Sequence, residues 1–417
     1  MRSAIALLVL AAAAFGLAAA PADASPYVRY GLQDDAWIAY GPGTLDERLD
    51  TLDGMGVELV RYTLHWNEIE RAKGQPDWSR SDAILRGLHA RGMVPVVTIW
   101  GTPRWANDGR SANWIPRSKW TFAGFARRAA GRYPFVKNWL IWNEPNQRRW
   151  LRPTTPSTYG AKLLDPAYAA IKRASGGTRV AGGATAPRGS YGGVSPVAWI
   201  RGMRAAGARL DAYAHHPYPL SRFETPSTGA CGHCETITMA SLERLQREVR
   251  NAWGGGKRIW LTEYGYQTNP PDRLLGVSPA AQARFIGEAA WRVFKAPNVD
   301  MLVHYLYRDE PDAARWQSGL LSTTGAAKPA LGAFKVAAAQ AYRRGLTTAV
   351  WGQVRVGDGP QRYVLQQYRR GAWRTVNGAY TTTRNGYLYR YVRAGKGSRL
   401  RLLHTPTRTY GPVLTVR

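Results

Sequence analysis

Eight times between Tyr27 and Tyr342, a short run rich in β-branched and aromatic residues gives way to a longer segment with helical apolar periodicity. The β-type runs are 27–32, 58–63, 94–100, 138–142, 178–184, 211–215, 258–262 and 300–305. The helical segments that follow them are 45–55, 81–91, 119–133, 158–174, 196–206, 241–251, 278–294 and 328–342. Eight parallel strands, each followed by a helix, close on themselves, so the expected class is α/β and the expected architecture a (β/α)8 TIM barrel over 26–345. A doubly wound open sheet competes, but it would place a glycine-rich phosphate turn after the first strand. The segment there, QDDAWIAYGPG, lacks that spacing.

Past Leu346 the period changes from helical to alternating: VWGQVRV, RYVLQQY, YLYRYV and RLRLLH, with Asn385-Gly386 as a hairpin signal. A small C-terminal β-sandwich domain over 349–417 is expected. From Leu346 onward there are thirteen Arg or Lys against one acid, Asp358. The whole chain of 417 residues carries a net charge of +29. A basic surface on this scale suits an acidic polysaccharide or an anionic cell wall, and equally a solvated arginine-rich exterior. No nucleic-acid-binding module is recognisable, so nucleic acid is not an expected partner. The tail reads as a polymer anchor or as a packing module that seals the barrel.

The first residues bear on compartment. Met1-Arg2, an apolar Ala-rich run over Ala4–Ala20 and the small-x-small Ala22-Asp23-Ala24 read as a signal peptide over 1–24, giving a secreted, extracellular protein. An uncleaved anchor is the alternative, and no later run is long enough to span a membrane. The two cysteines, Cys231 and Cys234, are spaced as CGHC in a Gly/Ser/Thr-rich stretch, which suggests a local disulfide in an exported chain. A redox dithiol and, with His233 and His215-His216, a zinc site are the competing readings. No metal and no cofactor is expected at the site described next.

Active sites of such barrels lie at the C-terminal ends of the strands. The fourth strand ends in Asn143-Glu144 before Pro145, and the seventh, in WLTEYGYQT, ends at Glu263. A carboxylate at the end of an apolar run is costly to bury without a use. Two carboxylates converging on one cleft are the machinery of glycosidic bond hydrolysis. The acid of such a pair must keep its proton near neutral pH, and an apolar neighbour such as Trp142 and a second negative charge across the cleft would raise a carboxyl's pKa. The loops after strands three and four carry Trp100, Trp105, Trp114 and Trp150, candidate sugar platforms.

On these residues the chain resembles the clan A glycoside hydrolases, which include family 5 cellulases and mannanases, family 39 xylosidases and family 51 arabinofuranosidases. The resemblance covers roughly 27–345, including the late stretch SGLLSTTGAAKPALGAF. It implies a retaining mechanism, with Glu144 as acid/base and Glu263 as nucleophile. It also implies that Asn143 bonds the sugar 2-hydroxyl, that Arg61 steadies the nucleophile, and that His216 and Tyr218, in His216-Pro217-Tyr218, line the cleft. Where many members have a tryptophan ending strand eight, VHYLYRDE offers Tyr305 and Tyr307, and TIWGTPRW after strand three lacks the histidine some families keep. The partner so implied is a carbohydrate. A TIM-barrel scaffold that binds a cell-surface glycan or acidic wall polymer without turnover is the alternative from another class. A thiol oxidoreductase built on CGHC is a third.

Overall fold

The computed structural model describes Ser25 and residues 27–417; the expected leader lies outside the described residues. Eight strands form a closed parallel barrel in chain order. They are β1 (Arg29–Gln33), β2 (Leu59–His65), β3 (Val94–Trp100), β4 (Asn138–Ile141), β5 (Arg179–Thr185), β6 (Ala212–His215), β7 (Arg258–Tyr264) and β8 (Val299–Tyr305). Closure is made by β8 on β1, in register from Arg29 opposite Met301 to Gln33 opposite Tyr305. No described helix is long and apolar enough to cross a membrane.

The barrel interior is filled by unequal partners. Ala181, Ala184, Ala212 and Ala214 leave room for the indole of Trp260, with Leu59, Val96, Leu140, Met301 and Val303 completing the plug. The outward strand residues pack under the helices in one continuous apolar layer. Side chains at the helix entries fix where several helices begin: Thr44 with Glu47 in a capping box, and Ser118, Ser195 and Ser278 as N-caps.

The last barrel helix is shorter than the sequence suggests. It covers Pro329–Lys335, and the alanine-rich Val336–Arg344 is strand β9, where a helix through 342 is expected. Alanine favours helix only as a weak prior, which tertiary context overrides. Here β9 turns through Gly345, at φ 57°, into β10 (Thr347–Val354) and pairs with it antiparallel. Strand β13 (Tyr387–Arg393) completes a three-stranded sheet. A second antiparallel sheet holds β11 (Arg362–Arg369), β12 (Ala372–Thr381), β14 (Arg399–His404), β15 (Thr409–Tyr410) and β16 (Leu414–Thr415). Between the sheets lie Val336, Val350, Val354, Tyr363, Leu365, Leu388, Leu400 and Leu402.

This β layer is seated on the barrel. Trp351 meets Trp291 and Phe294 of the helix Pro279–Phe294, and the Arg355 guanidinium lies 3.9 Å over the Tyr30 ring. Gly287 of that helix faces β9 so closely that a Cβ would stand 2.0 Å from the Ala338 carbonyl oxygen. Helix propensity alone would reward Gly287→Ala by about 1 kcal/mol. The contact predicts the opposite: a loss of roughly 1–3 kcal/mol from forced separation of helix and strand. Urea denaturation of the two proteins decides the sign.

Candidate active site

The upper layer of the barrel is polar, and it is organised around Arg61 on β2. This side chain is 1% exposed. Its Nε donates to Thr98 Oγ1 at 2.9 Å, its Nη1 to Gln33 Oε1 at 2.6 Å and to the Thr262 carbonyl at 3.2 Å, and its Nη2 to Asn143 Oδ1 at 2.8 Å. Nη1 also forms a close ion pair with Glu263 Oε1. One guanidinium therefore joins residues from β1, β3, β7 and the segment just past β4 to its own strand.

The end of β4 answers why apolar residues run straight into Asn-Glu-Pro. Trp142 and Glu144 both have positive φ, 72° and 38°. For non-glycine residues this costs of order 1–3 kcal/mol each and persists only when the surroundings impose it. They do: Trp142 N–H donates to Ile99 O on β3 at 2.9 Å, and Glu144 N–H to Ala184 O on β5 at 3.0 Å. The chain is twisted between its two neighbours, and Glu144 is turned over the barrel mouth toward Glu263.

The two carboxylates meet at His216. Its ring is fully buried, and Nδ1 stands 3.1 Å from Glu144 Oε1 and 3.4 Å from Glu263 Oε2. Its Nε2 pairs with the Thr262 hydroxyl at 3.1 Å, so both ring nitrogens are engaged. Tyr218 donates its hydroxyl to Glu263 Oε2 at 3.1 Å. An oxygen of Glu144 and one of Glu263 lie within 4.8 Å of each other. Each carboxylate keeps a small exposed surface, 13% and 11% of the side chain.

Electrostatics set Glu263 apart. Burial alone would raise its pKa, but the neighbouring His216 and Arg61, with the hydrogen bonds from Arg61 and Tyr218, outweigh burial and hold the carboxyl below its usual range. Glu144, His216 and Glu263 are close enough to bracket a cation. Arg61 and Tyr218 already donate to both oxygens of Glu263, however, and the guanidinium would repel a metal ion.

Asn143 is oriented by the same arginine. Because Arg61 can only donate, Oδ1 must face it, and the Asn143 amide N–H groups point away from Arg61.

Aromatic rings cluster at the neighbouring strand ends and loops. On one side Trp100 stands edge-on to His65 at 5.5 Å and to Trp150 at 5.5 Å. On the other, Trp316 lies 4.7 Å from Tyr218 and 5.8 Å from Tyr305. Trp316 lies in the loop after β8, while Tyr307 turns away to pack on Trp37 at 4.2 Å. Of the other loop tryptophans, Trp105 packs on Trp66 with its Nε1 on the Glu70 carbonyl, and the Trp114 ring is covered by Arg110 at 4.2 Å. Cys231 and Cys234 are joined by a disulfide in the loop after β6.

The sequence reading did not single out Gln33, Asp35, His65, Thr98 or Trp316. His65 ends β2, so the strand-end rule used for the glutamates would have found it. Asp35 begins the helix after β1 and accepts from Thr63 N–H at 3.3 Å. Burial pushes its carboxyl up, against the Thr63 hydrogen bonds and the neighbouring His65 and Arg61. Trp316 lies in a loop with no periodicity to mark it.

With this geometry in view, solved structures of similar fold are informative. One is a family 39 glycoside hydrolase from the gut symbiont Bacteroides cellulosilyticus WH2, 16% identical, with a TM-score of 0.62 over 91% of this chain and 81% of that one. A glucosidase from Croceicoccus marinus is 13% identical, with a TM-score of 0.61 over 91% and 96%. A GH5_18 protein from Streptomyces cattleya, in complex with GlcNAc, is 17% identical, with a TM-score of 0.56 over 74% and 78%. The chain thus has the fold of these glycoside hydrolases. No protein-family model matches the sequence, and no curated relative does.

Removing a partner from a buried ion pair costs about 3–5 kcal/mol. Arg61→Met is expected to lose that much stability near neutral pH. The folded pKa of Glu263 is depressed, so its contribution is full above the ordinary glutamate value and is lost as pH falls through the folded value. The gap between wild type and variant therefore narrows in acid. Denaturation free energies measured from pH 7 down to 3 check this; a gap independent of pH contradicts it.

Proposed function

We propose that this chain is a secreted glycoside hydrolase that cleaves O-glycosidic bonds of an oligosaccharide or polysaccharide with retention of anomeric configuration. The observation that carries the reading is the convergence of Glu144 and Glu263 on His216, with one carboxylate oxygen of each within 4.8 Å of the other. Retaining enzymes hold their carboxyl groups about 5–5.5 Å apart, and inverting ones about 6.5–9.5 Å, to admit a water. The shared fold of the glycoside hydrolases supports the same reading.

In this mechanism Glu144 protonates the glycosidic oxygen as Glu263 attacks the anomeric carbon. The C–O bond to the leaving group breaks and a glycosyl ester to Glu263 forms. Glu144, now a carboxylate, takes a proton from water, which attacks the same carbon and releases the sugar and Glu263. Arg61, His216 and Tyr218 keep Glu263 ionised and aimed; the Asn143 amide donates to the sugar hydroxyl beside the reacting carbon. His216, shared by both carboxylates, helps Glu263 carry negative charge while Glu144 cycles its proton. Trp100 and Trp150 on one wall and Tyr305 and Trp316 on the other sandwich the sugar.

A panel of aryl glycosides tests the proposal. Glu263→Ala is expected to abolish turnover on all of them. Glu144→Ala is expected to cost about 10²–10⁴-fold on poor leaving groups. The cost should be far smaller on dinitrophenyl glycosides, which need no protonation. Absence of wild-type turnover across pyranosides and furanosides, or equal losses for good and poor leaving groups, would refute it.

A further inference from the structure

The larger C-terminal sheet has two different faces. Alternation along the strands turns Tyr363, Leu365, Leu400 and Leu402 inward, where they are buried. The same alternation turns Gln366, Tyr368, Trp373, Arg399 and Arg401 outward, with Tyr368 opposite Trp373 and Gln366 opposite Arg401.

On that outward face, aromatic rings and guanidinium groups interleave. Arg399 lies 3.7 Å over the Tyr368 ring, and Arg401 lies 4.3 Å from the Trp373 ring and 3.9 Å from that of Tyr410. Tyr368 and Trp373 stand edge to face at 5.3 Å, and Arg401 Nε donates to Gln366 Oε1 at 2.8 Å. Neither arginine makes an ion pair among the described residues. The ion pair this C-terminal region does make, Arg417 with Glu288, involves a different side chain. Stacking fixes the two planes before any ligand arrives, which lowers the entropy lost on binding. A fixed guanidinium fork matches a carboxylate. Two arginines at i and i+2 on a strand stand roughly 7 Å apart, a spacing suited to successive charges on an extended chain. Ring edges between them offer apolar contact to the C–H faces of a sugar.

We propose that this sheet face docks a carboxylated polysaccharide, a polyuronate, and so holds the barrel on its polymer. The choice of a saccharide over another polyanion rests on the glycoside hydrolase reading; the anion site itself does not.

Affinity electrophoresis of the full chain, carrying Glu263→Gln to prevent turnover, in gels containing polygalacturonate tests it. The expected result is retardation that weakens with salt, with none in amylose. In Arg399→Gln/Arg401→Gln the apparent affinity is expected to fall at least tenfold with the melting temperature unchanged. Arg399→Lys/Arg401→Lys keeps the charge without the fork and should recover only part of it. Undiminished retardation of the Gln variant, full recovery by the Lys variant, or equal retardation by oligo(dT) would overturn the proposal. Turnover of aryl glycosides by Arg399→Gln/Arg401→Gln in the otherwise wild-type chain is read in parallel. Lost retardation without any wild-type turnover leaves the docking face standing and removes the hydrolase. Normal turnover with unchanged retardation does the reverse.

Discussion

Everything at the barrel mouth depends on one buried cation. Arg61 enters from β2 and ties together Gln33, Thr98, Asn143, Thr262 and Glu263. A lone guanidinium at 1% exposure would be very costly to desolvate, and a lone carboxylate beside it equally so. Each makes the other tolerable, and the remaining donors are used on the neutral acceptors Gln33, Thr98, Asn143 and the Thr262 carbonyl. His216 and Arg61 together hold the carboxyl proposed as nucleophile below its usual range, against the effect of burial. The proposed sugar-binding amide of Asn143 is oriented by the same guanidinium.

The second constraint is mechanical. Parallel pairing on both sides of β4 forces Trp142 and Glu144 into left-handed backbone, which no propensity would choose. The strand cannot relax without breaking its hydrogen bonds to β3 and β5. Strain at Glu144 is thereby converted into aim, and His216 receives the carboxylate. Glu263 lies within β7, and Glu144, three residues past β4, is tied to β5 by its own N–H on the Ala184 carbonyl.

How much of this could be read beforehand varies with the physics that wrote it. The strands were legible because closed parallel barrels demand buried β-branched runs; Val94–Trp100 is matched to the residue. Glu144 and Glu263 were legible because strand ends are fixed points of the fold. Arg61, Asn143, His216 and Tyr218 could be named through resemblance, but their shared hydrogen bonds could not, since these join residues up to 202 positions apart. Trp316 was hidden in an aperiodic loop. The Ala-rich β9 was misread because its conformation is decided by β10 and by the close approach at Gly287, not by its own residues. The thirteen basic residues of the tail were visible as charge, but only the sheet register shows which of them stack on rings.

The central claim is that Glu263 is a nucleophile paired with an acid across His216. Trapping with a panel of activated 2-deoxy-2-fluoro glycosides tests it most directly, because a covalent intermediate then accumulates. Peptide mass spectrometry should place one fluorosugar on Glu263, in wild type and not in Glu263→Gln. A hydrolysis that proceeds with inversion and leaves no label on Glu263 would contradict the account.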